Sequence, residues 1–89
     1  MALTFPTRQA VYETLRQTLW LHAREDFRMV RCGVTREALL ILAGRDVPDA
    51  GLKEVFGHHQ RGIRAIAILK FVERRFETDG SILVTAADI

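Results

Sequence analysis

Four side chains, His22, Cys32, His58 and His59, carry the donor atoms that zinc or copper takes as ligands. Soft-metal sites use pairs spaced as in Cys-x-x-Cys or His-x-x-x-His. Adjacent histidines on a helix point about 100° apart, so His58 and His59 are poorly placed to reach one ion together. The spacing therefore reads as no metal site, with His59 expected at the edge of an apolar helix face and His58 in solvent. Cys32 would need an activating histidine to serve as a nucleophile. It lies instead in an alternating run with Val30 and Val34, which makes it a small core residue.

Other chemistries fail on spacing. The glycines at 33, 44, 51, 57, 62 and 80 do not form a phosphate-binding loop after a strand. Asp46, Asp49 and Glu54 belong to a linker and a helix start, with neither the pairing of acid–base carboxylates nor the pattern of a calcium loop. No catalytic residue, cofactor or metal is expected, and the chain reads as a protein other than an enzyme. Arg61, Arg64, Lys70, Arg74 and Arg75 form a basic stripe that would contact phosphates if exposed together. Glu73 and Glu77 offset it, as on the wet face of an ordinary amphipathic helix.

The elements that position these residues follow from periodicity. Residues 9 to 23 fit two patterns. Val11, Leu15 and Leu19 fall at helical spacing, with Thr7 as a cap after Pro6, and this is the slightly better local fit. Read as strand, Leu19, Leu21 and Ala23 alternate with Thr18, Trp20 and His22. After a charged turn at Arg24-Glu25-Asp26, residues 27 to 34 alternate as a strand. Thr35 caps a short helix that carries Glu37 in its first turn and stops at Gly44.

Val47-Pro48 is a linker, and Asp49 is placed to cap a second helix running to Arg75. Leu52, Val55, Phe56, His59, Ile63, Ile66, Ala67 and Lys70 follow the three-four spacing of one face. Ala65, Ile68, Leu69, Phe71 and Val72 widen that apolar face until it nearly encircles the helix. Such a helix would run about 40 Å, so a break at Gly57 or Gly62 is expected. Thr78-Asp79-Gly80 is a turn and residues 81 to 85 a final strand.

Length and composition bound the rest. The 89 residues make one domain spanning 1–89, and 48% hydrophobic with 27% charged residues is the balance of a folding chain. The formal charge of +2 reflects 13 basic against 11 acidic residues, too even for a strongly nucleic-acid-binding surface. A lone cysteine, no signal-like leader and no apolar run near 20 residues point to a cytoplasmic chain away from membranes.

Taken in order, Leu3-Thr4-Phe5-Pro6, Tyr12-Glu13 with Arg16, and the alternation around Leu19 and Leu21 resemble the bacterial family known as domain of unknown function 1488. Val30 to Val34 leading to Glu37-Ala38-Leu39, Phe56 with Arg61 and Ile63, and Leu83 to Asp88 continue the likeness. The resemblance implies a small α+β fold, an N-terminal antiparallel meander followed by helices and a closing strand. On that analogy residues 10–14, 18–23 and 27–34 are strands. Where members resemble one another in Asn-Arg or His-Arg after the helix-starting Phe, this chain has Gly57-His58-His59-Gln60-Arg61. The resemblance supplies no catalytic residues.

The combined expectation is an α+β domain, a small mainly antiparallel sheet packed against helices. Apolar surface at Ile66, Ile68, Leu69, Phe71 and Val72 exceeds what one sheet face covers, so a self-associating interaction module, a dimer first, is expected. A weak nucleic-acid-binding accessory protein is the alternative.

Overall fold

The computed structural model describes residues 3–5 and 9–89. Three strands open the chain: β1 (Val11–Glu13), β2 (Thr18–Glu25) and β3 (Arg28–Thr35). Helix α1 (Arg36–Ala43), a 3₁₀ turn at Asp49–Gly51 and helix α2 (Leu52–Val72) follow. Strand β4 (Ile82–Val84) and a 3₁₀ turn at Ala86–Asp88 close the fold. The sheet order is β1-β2-β3-β4. The first three strands form an antiparallel meander, and β4 returns beside β3 in parallel. That parallel step is what the intervening helices make possible, because a parallel partner requires a long crossover. The result is the expected α+β fold with a mainly antiparallel sheet.

Register explains why residues 9–23 hold β1, a turn and the start of β2 in place of a helix. Leu19, Leu21 and Ala23 point into the core with Val30, Cys32 and Val34 of β3, and Ile82 and Val84 of β4 complete that face. The helical alternative needed Val11, Leu15 and Leu19 on one side. Here Leu19 is fully buried, Leu15 is 90% exposed in the β1–β2 turn, and Val11 is exposed at the sheet edge. Pairing with β2 and β3 outweighs a three-residue coincidence of helical spacing. The proposed cap Thr7 lies outside the described residues.

Helix α1 forms where its end signals fall. Thr35 Oγ1 accepts from the Ala38 amide at 3.2 Å, and Gly44, at φ 71°, donates to the carbonyls of Leu40 and Ile41. Helix α2 differs from expectation at three points. It begins at Leu52, because Asp49 to Gly51 form a 3₁₀ turn and the Asp49 carboxylate pairs with Arg36 Nε at 3.0 Å instead of capping. It ends at Val72. It runs 21 residues through Gly57 and Gly62 without a break. At about 31 Å it fits the 37 Å long axis of the molecule. Each glycine costs about 1 kcal/mol relative to alanine, less than the burial of neighbouring Phe56 and Ile63 contributes.

Leu52, Val55, Phe56, Ile63 and Ala67 of α2, with Ala38 and Leu39 of α1, cover one face of the sheet. The other face is covered by neither helix, and Trp20 lies flat across it. Its indole Nε1 donates to Glu13 Oε1 at 2.8 Å, and the Arg31 guanidinium lies 4.2 Å from the ring centroid. Gly33 sits beneath the ring.

Candidate interaction surface

The face of α2 turned away from the sheet carries the candidate surface. The apolar residues that nearly encircled the helix in the sequence divide into three sets. Ile63 and Ala67 enter the core, and Ile66 and Phe71 are half-buried against it. Ile68, Leu69 and Val72 stay outside at 39%, 55% and 69% exposure, with exposed Ala65 one turn before Leu69. Of the five residues expected at an interaction surface, three therefore form the exposed strip. Phe71 turns sideways and meets Phe76 edge-on at 5.9 Å and 89°.

The basic stripe separates in the same way, and Lys70 is a correction to it. Its side chain is 9% exposed, with Nζ donating to the Leu83 carbonyl at 2.7 Å and pairing with Asp88 Oδ2 at 2.6 Å. Asp88 in turn accepts from the amide and hydroxyl of Thr85, a capping box that closes the last turn. Burial pushes the Asp88 carboxyl upward, but the hydrogen bonds from Lys70 and Thr85, with the Lys70 charge, outweigh it and hold the group below the ordinary carboxylate value. Lys70 thus fastens α2 to β4 and to the final turn and is not open to a phosphate.

Arg64 is half-buried, its guanidinium 5.1 Å from the Phe5 ring centroid. Arg75 pairs with Glu73 at 3.2 Å and lies 3.9 Å from Asp88. Arg61 and Arg74 are exposed at opposite ends of the stripe. The five cations are not one row.

The four soft-ligand side chains are not assembled either. Cys32 faces the core and His22 the opposite side of the sheet, where it pairs in register with Arg31. His58 is exposed beside Glu54, and His59 is half-buried in the groove between α2 and the final turn. Among the described residues no three His, Cys, Asp or Glu side chains gather to hold a metal ion. Burial pushes the Cys32 thiol up to about 12, so at neutral pH it stays protonated. We expect a maleimide to leave Cys32 unlabelled in the native protein and to react fully once the chain is unfolded in denaturant. Fast native labelling, followed by mass spectrometry, would show an opening of the sheet that this packing does not allow.

The residues behind the family-like pattern have structural duties. Tyr12 faces the helix side of the sheet, where burial, and then the Asp49 charge, raise its phenol above the ordinary value against the pull of Arg36. Glu13, one residue on, holds Trp20 and lies 3.9 Å from Arg16. Phe27 was read as the first residue of a strand. It stands instead at the tip of the two-residue β2–β3 turn, 99% exposed, because Asp26 adopts φ 53° and the strands pair only as far as Glu25 and Arg28.

A four-stranded mixed sheet covered on one face by two helices, with a strip of apolar side chains left open on the longer helix, defines this as a small open-faced α+β protein. The family model described as "Protein of unknown function (DUF1488)" matches residues 3–84, and the chain belongs to that family. A crystal structure of a protein of unknown function from the same family, from Shewanella loihica PV-4, superposes with a TM-score of 0.87 at 17% identity. The match covers 93% of this chain and 91% of that one, and the likeness is one of fold. No curated protein matches the chain. Among the described residues no helix is long and apolar enough to cross a membrane.

Proposed function

We propose that this chain is a non-enzymatic interaction module of the cytoplasm that associates with a second copy of itself through the exposed side of α2. The observation that carries the reading is the strip Ala65, Ile68, Leu69 and Val72, spaced three and four residues apart along one face of a rigid helix. Isolated exposed apolar residues are ordinary, but several aligned on one helix face leave a contiguous patch, and such patches mark interfaces. A patch used by two identical chains closes on itself about a two-fold axis. Ala65 is small enough to let a second helix approach closely. The single buried thiol of Cys32 supports a reducing compartment.

Light scattering at tens of micromolar is expected to give twice the 10.1 kDa chain mass. Leu69→Glu places a charge at the middle of the strip and is expected to raise the dissociation constant by about 100-fold with an unchanged circular dichroism spectrum. A wild-type protein that stays monomeric at these concentrations refutes the reading. The nucleic-acid alternative has lost Lys70 from its stripe. Salt-dependent retention of bulk DNA or RNA near physiological ionic strength is the result that would revive it.

A further inference from the structure

We infer that the contact between copies is anchored by Phe27, whose ring enters a groove of the second copy formed by Phe71, Val72 and Phe76. The inference rests on the self-association proposed above and names the residue that gives it geometry. Phe27 is the most exposed large apolar residue described, at 99%. It stands in a tight turn in which Asp26 takes a left-handed conformation, so the ring is presented at the tip of a hairpin and covers nothing of its own chain. Holding an aromatic ring this way forfeits its burial unless something receives it. A buried phenylalanine removes roughly 150–250 Å² from water, and such rings dominate interface energetics.

A receiving site lies on the same end of the molecule. Glu25 and Arg28, the residues flanking the turn, form one side of an open groove of about 400 Å³, and Phe71, Val72, Arg74 and Phe76 form the other. A cavity of ~150 Å³ accepts a benzene ring, so one aromatic side chain fits with room for its neighbours. The edge-on pair of Phe71 and Phe76 offers ring faces and edges for a third ring.

Charge favours the same match. Glu25 and Arg28 flank the ring and line the groove alike, so the charges particular to each are Asp26 beside the ring and exposed Arg74 on the groove. Inserting Phe27 brings Asp26 of one copy to Arg74 of the other.

Because knob and groove sit side by side on one face, the exchange is reciprocal and closes after two copies, where a groove on the far side would propagate a chain. Val72 belongs both to the groove and to the α2 strip, so the two contacts form one surface. Two buried Phe27 rings account for roughly 300–500 Å², short of the ~1,200–2,000 Å² total of a stable interface, so the α2 strip must contribute the remainder.

Sedimentation velocity over a concentration series separates the possibilities, using wild type, Phe27→Ala, Leu69→Glu and Ile41→Ala, the last an exposed residue of α1. Phe27→Ala is expected to weaken dimerisation about 30-fold or more, with circular dichroism and Trp20 emission unchanged, while Ile41→Ala behaves as wild type. If Leu69→Glu dissociates the dimer and Phe27→Ala does not, the anchor is wrong and the α2 interface stands. A monomeric wild type removes both. An open series of larger species overturns the reciprocal exchange.

Discussion

Replacing Lys70 with alanine is expected to cost the fold about 3–5 kcal/mol, the largest effect of any single substitution considered. The ammonium lies between the Leu83 carbonyl at 2.7 Å and Asp88 at 2.6 Å, and the Lys70 and Asp88 side chains are only 9% and 12% exposed. Truncation leaves a mostly buried carboxylate with only Thr85 and the more distant Arg75 beside it, and removes the lysine donor from the Leu83 carbonyl. The asymmetry matters more than the pair itself: removing one member of a buried pair is far worse than removing both. Lys70→Met combined with Asp88→Asn is therefore expected to recover part of the loss.

In a chain of 89 residues each kcal/mol moves the melting temperature by roughly 4–8 °C, so thermal unfolding of Lys70→Ala should begin more than 10 °C early. The pH dependence has a definite sign. The Asp88 carboxyl titrates below its unfolded value of about 3.9. Its contribution is complete above that pH and disappears as pH falls through the lower folded value. The gap between wild type and Lys70→Ala should consequently narrow below about pH 4. A loss under 1 kcal/mol at neutral pH, measured by urea unfolding, would mean that the latch contributes little.

Gly33→Val should destabilise the protein by about 2 kcal/mol and expose its tryptophan. A Cβ at this position would lie 2.7 Å from Thr18 Cγ2 and 2.8 and 2.9 Å from ring carbons of Trp20, closer than side chains pack. The ring cannot slide freely, because Glu13 holds the indole nitrogen and Arg31 covers the ring. Valine suits a strand better than glycine does, which offsets part of the clash. The net effect remains unfavourable because the displaced group is large and bonded. Trp20 is the sole tryptophan, buried to 8% exposure, so its emission reports the displacement directly. A red shift together with a lowered midpoint is the expected result; native emission in a stable Gly33→Val protein would show that the ring is free to move.

These two sites also separate what is local from what is not. Thr35 and Gly44 bound α1 because each signal acts within a few residues: a hydroxyl reaching the amide three positions on, and a glycine free to turn left-handed. The β3 alternation and the inward Cys32 were equally legible, since strand period and burial coincide. Residues 9 to 23 were not. Their helical spacing rested on Val11 and Leu15, and both lost their supposed partner Leu19 once β2 paired on two sides. Thr85-x-x-Asp88 was a readable capping box that local inspection passed over.

By itself the sequence determined the alternation of β3, the ends of α1 and the surplus of apolar residues on α2, because all of these depend on neighbours close along the chain. Only the tertiary structure decided which residues of α2 remain outside. Helical spacing already put Lys70 on the apolar face, and what the tertiary structure added was its partners, the Leu83 carbonyl of β4 and Asp88, from more than ten residues away. The tertiary structure also left Phe27 at the tip of a hairpin beside an aromatic groove. Helical periodicity describes every face of a helix alike, and burial is assigned only when the other elements take up their positions.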